Sequence, residues 1–273
     1  MAKIDPSSRV ADGARIAADV EIGPFCMVGP DVELQSGVRL LSHVNLSGVT
    51  SIGERTVIYP FASLGTPPQS NGYRGGATRL AVGSDCRIRE GVTINTGTED
   101  GGGITTVGDR CFLMANSHVG HDCHIGSDAI FANGAVLGGH VVVGDHAFIG
   151  GNAAIHQFVR IGEGAMLGGL SGITRDVIPF GFAFGPKADL VGLNTVGLRR
   201  RKFTRADIHR IRRAYRTLFF GEGVFSARLQ QASEEFSSDL VIGKIIAFIR
   251  DGRSRPLMMP AVNAGASEFD AAQ

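Results

Sequence analysis

Aliphatic residues recur at every sixth position along most of the chain. Val, Ile or Leu occupies each sixth position from Val10 to Leu64, then through 82–94, and again from Val107 to Ile173. Of these 25 positions, 24 are aliphatic and the other is Phe131. A period of six matches neither an amphipathic helix nor an alternating strand. It predicts a β-solenoid in which each hexad is a short strand and a turn, and in which stacking buries the aliphatic residue.

Two stretches interrupt the repeat, and the second also shifts its phase by one residue. We expect inserted loops near 65–81 and near 95–106, where the second carries the glycine-rich segment "TGTEDGGGITT". A second series of small residues follows each aliphatic position four residues later, and all four cysteines belong to it: Cys26, Cys86, Cys111 and Cys123. Free cysteine behaves as a small buried hydrophobe. The cysteines are therefore predicted to be inward-facing thiols.

A helical region follows the repeat. We assign 1–193 to the β-helix and 194–273 to a C-terminal helical domain. The segment "TRADIHRIRRAYRTLFF" opens with Thr204 and Asp207 as a capping pair and places apolar residues on one face. The segments "SARLQQASEEF" and "DLVIGKIIAFIRDG" predict two further helices. The tail after 256 has little pattern and is expected to lack fixed structure.

Charge and composition exclude some classes of protein. The net charge is +1, so no global field favours nucleic acid or a membrane surface. The chain has 39 glycines and no tryptophan, which fits a repeat with many tight turns. No run of apolar residues is long enough for a membrane span, and no leader is apparent at the N-terminus. A cytoplasmic protein without disulfides is the expectation.

Histidines concentrate in the segment "NSHVGHDCHIG", residues 116–126. Three hexads form one coil of a solenoid, so residues 18 apart are neighbours on adjacent coils. This step takes His121 to Gly139 and then to Gln157. The pairs His121–Asp122, Gly139–His140 and His156–Gln157 are therefore expected to form one strip on the outside of the solenoid.

The residue types of this strip suit acyl transfer. Histidine can take a proton from a hydroxyl or an amine at neutral pH, and Asp122 could fix its tautomer. The backbone N–H of a glycine can approach a developing oxyanion closely. Because Cys123 should face the interior and His121 the exterior, a zinc site that uses both is not expected. His43, His124 and His146 are interpreted as surface residues.

The basic segment "RRRKFTR", residues 199–205, is ambiguous by itself. It could bind nucleic acid, bind a diphosphate or begin a solvated helix. The combination of "HVGHDC", "GGH", "HQF" and "GGLSG" with "GLRRRKFTRADI" is more specific. Over nearly the whole chain, it resembles the UDP-N-acetylglucosamine O-acyltransferases of the first step of lipid A synthesis, which are hexapeptide-repeat proteins.

The resemblance implies a left-handed parallel β-helix with a small helical domain, and a homotrimer with sites in the clefts between subunits. It implies transfer of an (R)-3-hydroxyacyl chain from acyl carrier protein to the 3-position of a UDP-sugar, with no cofactor, no metal and no nucleic acid or membrane partner. His121 matches the general base, Asp122 its companion and Gly139 the oxyanion donor. Gly169 matches the position at which a larger side chain shortens the acyl pocket in some members. The positions that match substrate contacts are His118, His140, His156, Gln157, Gly169, Asn194, Arg200 and Arg201.

Two departures from the family pattern concern the contacts to the UDP-sugar. Where members commonly carry "NQDLKY", this chain reads "PQSNGY" at 68–73, so that Ser70 and Gly72 replace an aspartate and a lysine. Gln69 and Tyr73 remain, and we keep Gln69, Ser70 and Tyr73 as candidate acceptor contacts. Val196 replaces a glutamate on the nucleotide side. The changes at Ser70 and Gly72 leave open a 3-amino acceptor, which would give an amide in place of an ester.

Two other interpretations remain open. The N-acyltransferase two steps later in the same pathway shares the repeat, but it normally carries an additional N-terminal domain, whereas this repeat begins within the first ten residues. A non-catalytic solenoid that serves as a binding module would require neither the polar strip nor the basic segment.

Overall fold

The structure, a computed structural model, describes residues 1–252 and 254–261. Within these residues, 28 short strands form the predicted left-handed parallel β-helix and the antiparallel hairpin that ends it. In chain order they are β1 Lys3–Ile4, β2 Arg9–Val10, β3 Arg15–Ile16, β4 Glu21–Ile22, β5 Met27–Val28, β6 Val32–Leu34, β7 Arg39–Leu40, β8 Asn45–Leu46, β9 Val49–Ile52, β10 Val57–Ile58, β11 Ser63–Thr66, β12 Arg79–Val82, β13 Arg87–Ile88, β14 Thr93–Asn95, β15 Ile104–Val107, β16 Phe112–Leu113, β17 His118–Val119, β18 His124–Ile125, β19 Ile130–Phe131, β20 Val136–Leu137, β21 Val142–Val143, β22 Phe148–Ile149, β23 Ala154–Ile155, β24 Arg160–Ile161, β25 Met166–Leu167, β26 Gly172–Ile173, β27 Gly181–Phe184 and β28 Asp189–Leu193.

Three sheets form the faces of the solenoid, and successive strands of the chain move from one sheet to the next. Sheet 1 has 11 strands from β1 to β28, sheet 2 has nine from β2 to β26, and sheet 3 has eight from β3 to β24. Pairing is parallel with an 18-residue step over most of the length, as between Phe112 and Ile130. The coils that carry the two inserted loops are longer, so that Val57 pairs with Arg87 and Arg87 with Phe112.

The core consists of the residues that the six-residue period selects. From Ile22 to Ile173 the aliphatic residue of each hexad is buried, whereas its partner within the strand faces outward. The four cysteines are free and buried, as predicted. Cys123 donates to the carbonyl oxygen of Gly138 at 3.2 Å, and burial raises the pKa of its thiol to about 12. Its sulfur therefore belongs to the core, and at neutral pH it is a thiol and not the thiolate that binds metal ions.

The coils end in an antiparallel hairpin of β27 and β28, after which the chain becomes helical. The helices are α1 Thr195–Arg200, α2 Arg205–Phe220, α3 Phe225–Glu235 and α4 Leu240–Arg250, and a 3-10 helix spans Glu99–Gly101 in the second inserted loop. The predicted capping pair is present: Thr204 and Asp207 form a reciprocal capping box at the start of α2. Within 1–252 and 254–261, no helix is both long and apolar enough to cross a membrane.

A buried arginine fastens the helical region to sheet 3. The Nε of Arg160 donates to the carboxylate of Asp176 at 2.7 Å, and its guanidinium lies 4.2 Å from the ring centroid of Phe248 on α4. Asp176 also pairs with Leu257 in an isolated parallel bridge. The expectation of no fixed structure directly after 256 is therefore wrong for the next few residues, because Met258 is completely buried. Residues 262–273, the rest of that predicted tail, lie outside the described residues.

Candidate active site

The turns that join sheet 2 to sheet 3 stack into one corner, here called the site corner (residues 120–123, 138–141 and 156–159). The N–H of His140 donates to the carbonyl of His121 at 2.9 Å, and the N–H of Phe158 donates to the carbonyl of Gly139 at 3.1 Å. Asp122, His140 and Phe158 have φ values of 57°, 61° and 66°. The 18-residue step therefore stacks the turns of the predicted strip.

His121 and Asp122 form a hydrogen-bonded pair. The Nδ1 of His121 lies 2.8 Å from Oδ2 of Asp122. Oδ2 also accepts from the hydroxyl of Thr98 at 2.6 Å, and Oδ1 accepts from the backbone N–H of Thr98 at 2.9 Å. An ionised carboxylate only accepts hydrogen bonds, so Nδ1 must carry the proton. The lone pair of the neutral imidazole is then on Nε2, which is the arrangement that a general base requires.

The second inserted loop covers this pair. The side chain of Asp122 is completely buried and that of His121 is 11% exposed. We expected both on the outside of the solenoid, and they do lie outside its core, but the loop covers them. Gly101 packs so closely that a Cβ there would lie 2.2 Å from the carboxylate carbon of Asp122. Removal from water strengthens the His–Asp interaction.

Gly139 lies against the imidazole of His121. A Cβ at this position would be 2.4 Å from Cε1 and 2.6 Å from Nε2 of His121, so any side chain would displace the ring. Gly139 is buried, and among residues 1–252 and 254–261 no acceptor is within hydrogen-bond range of its N–H. Buried backbone donors are almost always paired. The N–H of Gly139 is therefore available to a group that binds beside the imidazole of His121.

Two further histidines surround His121. The rings of His121 and His140 meet edge to face with centroids 5.0 Å apart, and His140 stacks on Phe158 with centroids 4.4 Å apart. On β17, the Nδ1 of His118 lies 2.7 Å from the hydroxyl of Thr93. Burial lowers the pKa of both His118 and His140, and protonation of His121 would act in the same direction, whereas the carboxylate of Asp122 opposes the lowering at His140. Both rings are therefore neutral at neutral pH.

The same groups could in principle hold a metal ion. One ligand atom from each of His121, Asp122 and His140 can be chosen such that all lie within 4.8 Å of one another. The carboxylate of Asp122, however, already accepts from Thr98 twice and from His121 once. An ion would have to replace those bonds. The donor set fits a His–Asp pair better than it fits a metal centre.

Comparisons with known proteins identify the family of this chain. Residues 176–258 match the family "Udp N-acetylglucosamine O-acyltransferase; Domain 2", and residues 104–139 match "Bacterial transferase hexapeptide (six repeats)". An acyl-[acyl-carrier-protein]–UDP-N-acetylglucosamine O-acyltransferase from Azorhizobium caulinodans is 56% identical over 98% of this chain and 99% of its own length. One from Rhizobium johnstonii is 47% identical over 95% of each chain. This chain belongs to that O-acyltransferase family.

A solved structure supports the assignment. A UDP-N-acetylglucosamine acyltransferase from Campylobacter jejuni superimposes with a TM-score of 0.90 at 35% identity, and the match covers 95% of this chain and all of that one. The chain is thus an acyltransferase, and it has the architecture of its family over 95% of its length.

The next coil of the site corner carries His156 and Gln157, and both are exposed. The Nη2 of Arg255 lies 2.7 Å from Nδ1 of His156, and its Nε donates to the carbonyl of Gln157 at 2.9 Å. Arg255 thus brings the segment that follows α4 to the strip.

The nucleotide-side candidates divide into two kinds. Arg200 is exposed at the end of α1. Asn194 instead caps α1, because its Oδ1 accepts from Gly197 and its Nδ2 donates to the carbonyl of Gly164. Arg201 is ion-paired with Glu163. We expected Asn194 and Arg201 to contact a nucleotide directly. Both form contacts that fasten α1 to the last coils, while Nη1 of Arg201 has no hydrogen-bond partner among the described residues.

The remaining candidates lie at two other places. Gln69, Ser70 and Tyr73 are in the first inserted loop, where the hydroxyl of Tyr73 donates to the carbonyl of Gly76 at 3.1 Å. A carboxylate oxygen of Glu99 accepts from the N–H of Gly76 at 2.6 Å, so this loop is tied to the loop that covers Asp122. Gly169 is exposed at the corner between sheets 1 and 2, across sheet 2 from the site corner.

Thr98, Phe158 and Arg255 also contribute to the site and were not predicted from the sequence. Phe158 could have been found, because it lies 18 residues after His140 in the strip already recognised. Thr98 lies in an insertion that has no period, and Arg255 is 99 residues from His156. No repeat relates either residue to its partner.

Proposed function

We propose that this chain transfers an (R)-3-hydroxyacyl group from acyl carrier protein to the 3-hydroxyl of UDP-N-acetylglucosamine, the first step of lipid A synthesis. The reaction named for its relatives supports this. The observation that carries it is the His121–Asp122 pair beside the unpaired N–H of Gly139. The relatives are named for an acyl chain on acyl carrier protein and for a sugar on UDP, and both of these carriers are water-soluble. We therefore assign the reaction to the cytoplasm.

The proposed chemistry is direct transfer. Nε2 of His121 takes the proton from the 3-hydroxyl as its oxygen attacks the thioester carbonyl, while Asp122 stabilises the imidazolium that forms. The N–H of Gly139 donates to the resulting oxyanion. The C–S bond then breaks, and Nε2 returns the proton to the departing thiolate. No acyl-enzyme is required, and the neighbouring thiol of Cys123 points into the core.

The neutral histidines support a binding role. His118 and His140 lie within reach of His121 and keep no charge at neutral pH, so they can donate or accept without opposing protonation of the base. We assign them to substrate contacts, with His156 and Gln157 on the next coil. Exposed Arg200 is suited to the diphosphate, because a guanidinium is always charged and forms paired hydrogen bonds with phosphate oxygens.

We further propose a homotrimer with sites between subunits. The outward residues of sheet 1 form a half-buried apolar ladder: Phe112, Ile130, Phe148, Met166 and Phe182. The outward residues of sheet 2 are also apolar or small: Val136, Ala154 and Gly172. These faces flank one corner, where Leu170 is 74% exposed. Two different apolar faces at an angle suit a closed heterologous ring, in which sheet 1 of one copy meets sheet 2 of the next.

The test is an acyl-transfer assay with 3-hydroxyacyl carrier proteins of several chain lengths against UDP-N-acetylglucosamine and its 3-amino analogue. We expect transfer to the 3-hydroxyl and a product that mild base cleaves. A base-stable product made only from the amino sugar would show that the acceptor is wrong. Absence of transfer from any chain to either sugar would refute the enzymatic function and favour a binding module. Light scattering of the same sample tests the trimer.

A further inference from the structure

Arg255 contacts two residues of the strip, His156 and Gln157, although it is almost 100 residues away from them in the sequence. Its Nη2 is 2.7 Å from Nδ1 of His156, and its Nε is 2.9 Å from the carbonyl oxygen of Gln157. The planar guanidinium offers two donors in fixed relative positions, which here meet two acceptors of consecutive residues.

The backbone that carries Arg255 is anchored on the solenoid. The carbonyl of Pro256 accepts from the N–H of Asp176 at 2.9 Å, and the N–H of Met258 donates to the carbonyl of Asp176 at 2.8 Å. The side chain of Met258 is completely buried. Arg255 itself is partly buried. The backbone on the C-terminal side of Arg255 is therefore fixed to the solenoid, and this anchoring holds the guanidinium beside His156.

This contact decides which nitrogen of His156 carries a proton. A guanidinium has donors and no acceptor, so Nδ1 of His156 must present its lone pair to Arg255. The proton of the neutral ring is then on Nε2. If Arg255 were absent, the nearest partner of Nδ1 would be the carbonyl of Gln157 at 3.2 Å, which accepts only. That contact favours the opposite tautomer, with the proton on Nδ1.

We propose that Arg255 is a positioning residue that holds His156 in the Nε2–H tautomer, so that the ring presents a hydrogen-bond donor to an oxygen of the substrate. An oxygen acceptor, either a phosphoryl oxygen or a carbonyl oxygen of the nucleotide sugar, is the chemical class that such a donor recognises. The identity of the substrate rests on the proposed function. The assignment of the tautomer does not, because it follows from the contacts of Arg255 alone.

The direct test is the tautomer of His156 in the full-length protein labelled with 15N-histidine. Long-range proton–nitrogen correlation distinguishes protonated from unprotonated ring nitrogens, and the loss of one set of signals in His156→Gln assigns the residue. At a pH at which the ring is neutral, we expect Nε2–H in the wild type, retention of Nε2–H in Arg255→Lys, and a shift toward Nδ1–H in Arg255→Met. Arg250→Met, which removes a hydrogen bond to Ser233 elsewhere in the helical region, is the matched control and should change nothing. The same tautomer in the wild type and Arg255→Met would overturn the proposal.

Kinetics test the consequence for substrate. In Arg255→Met, loss of a correctly oriented donor should raise the KM for the UDP-sugar by about 10- to 100-fold and leave kcat much less affected. In a His156→Gln background the same substitution should have no further effect, because the residue through which it acts is gone. An additive effect in that background, or an unchanged KM despite a changed tautomer, would refute the positioning role. The NMR result is independent of turnover, so a failure of the proposed function alone would appear as the expected tautomers without activity.

Discussion

Gly139→Ala tests whether close contact between Gly139 and His121 is needed for catalysis. The added Cβ would lie 2.4 Å from Cε1, 2.6 Å from Nε2 and 2.9 Å from Nδ1 of His121. Carbon atoms in contact prefer separations of about 3.5–4.0 Å. The ring would therefore have to retreat by about 1 Å, and its 2.8 Å bond to Asp122 leaves it no equivalent position beneath the loop. A displacement of this size at reacting groups costs about 100-fold in rate.

We therefore expect kcat of Gly139→Ala to fall about 100-fold in a mass-spectrometric assay of the acylated UDP-sugar. Overpacking should lower the free energy of unfolding by about 1–3 kcal/mol, measured in urea. Gly151→Ala is the matched control, because its Cβ would meet nothing closer than 3.4 Å and it lies on another corner of the same solenoid. Wild-type activity in Gly139→Ala, with the His121 ring shown by crystallography to be unmoved, would refute the reasoning.

Three further predictions concern the surroundings of the base and the acceptor. Thr98→Val removes the hydrogen bond from the Thr98 hydroxyl to Asp122 and keeps the bond from the backbone N–H. The free energy of unfolding in urea should therefore fall by about 1.5–3 kcal/mol. A free energy of unfolding equal to that of the wild type would contradict the argument from the burial of Asp122. Burial lowers the pKa of His140 in the folded state, so its neutral form contributes stability that is present above the ordinary pKa of histidine and is lost as the pH falls through the lowered value. Unfolding free energies at pH 8 and pH 5 should therefore differ more in the wild type than in His140→Gln, and an equal difference would contradict this. With Ser70 and Gly72 in place of charged residues, the chain should still prefer the 3-hydroxyl sugar, which competition between the two acceptors measures directly.

The solenoid and the site corner could be predicted because, in a repeat, residues on adjacent coils that contact each other are separated by a fixed number of residues in the sequence. The six-residue period identified the buried residues, and its threefold multiple brought Asp122, His140 and Phe158 to one corner. The hydrogen bond between His121 and Asp122 joins adjacent residues, and a neighbour in sequence is the simplest contact to anticipate. These parts of the molecule depend on period and proximity alone.

The burial of His121 could not be predicted from the repeat spacing. The loop over Asp122 is an insertion without a period, and its glycines indicate only that backbone can approach closely. Arg201 was expected at the nucleotide because the family resemblance implied it. Its pairing with Glu163 depends on how α1 docks on the last coils, 38 residues away in sequence. Such contacts follow from tertiary packing, which no local pattern encodes.

The central claim is that Nε2 of His121 acts as the general base. The most direct measurement is the rate of acyl transfer from a 3-hydroxyacyl carrier protein to UDP-N-acetylglucosamine by His121→Ala, with His124→Ala as control, since His124 is exposed on the same segment and bonded to Thr106. The account predicts a fall of about 10²- to 10⁴-fold for His121→Ala and no change for His124→Ala, with both variants folded and in the wild-type oligomeric state. A His121→Ala enzyme as fast as the wild type would contradict it.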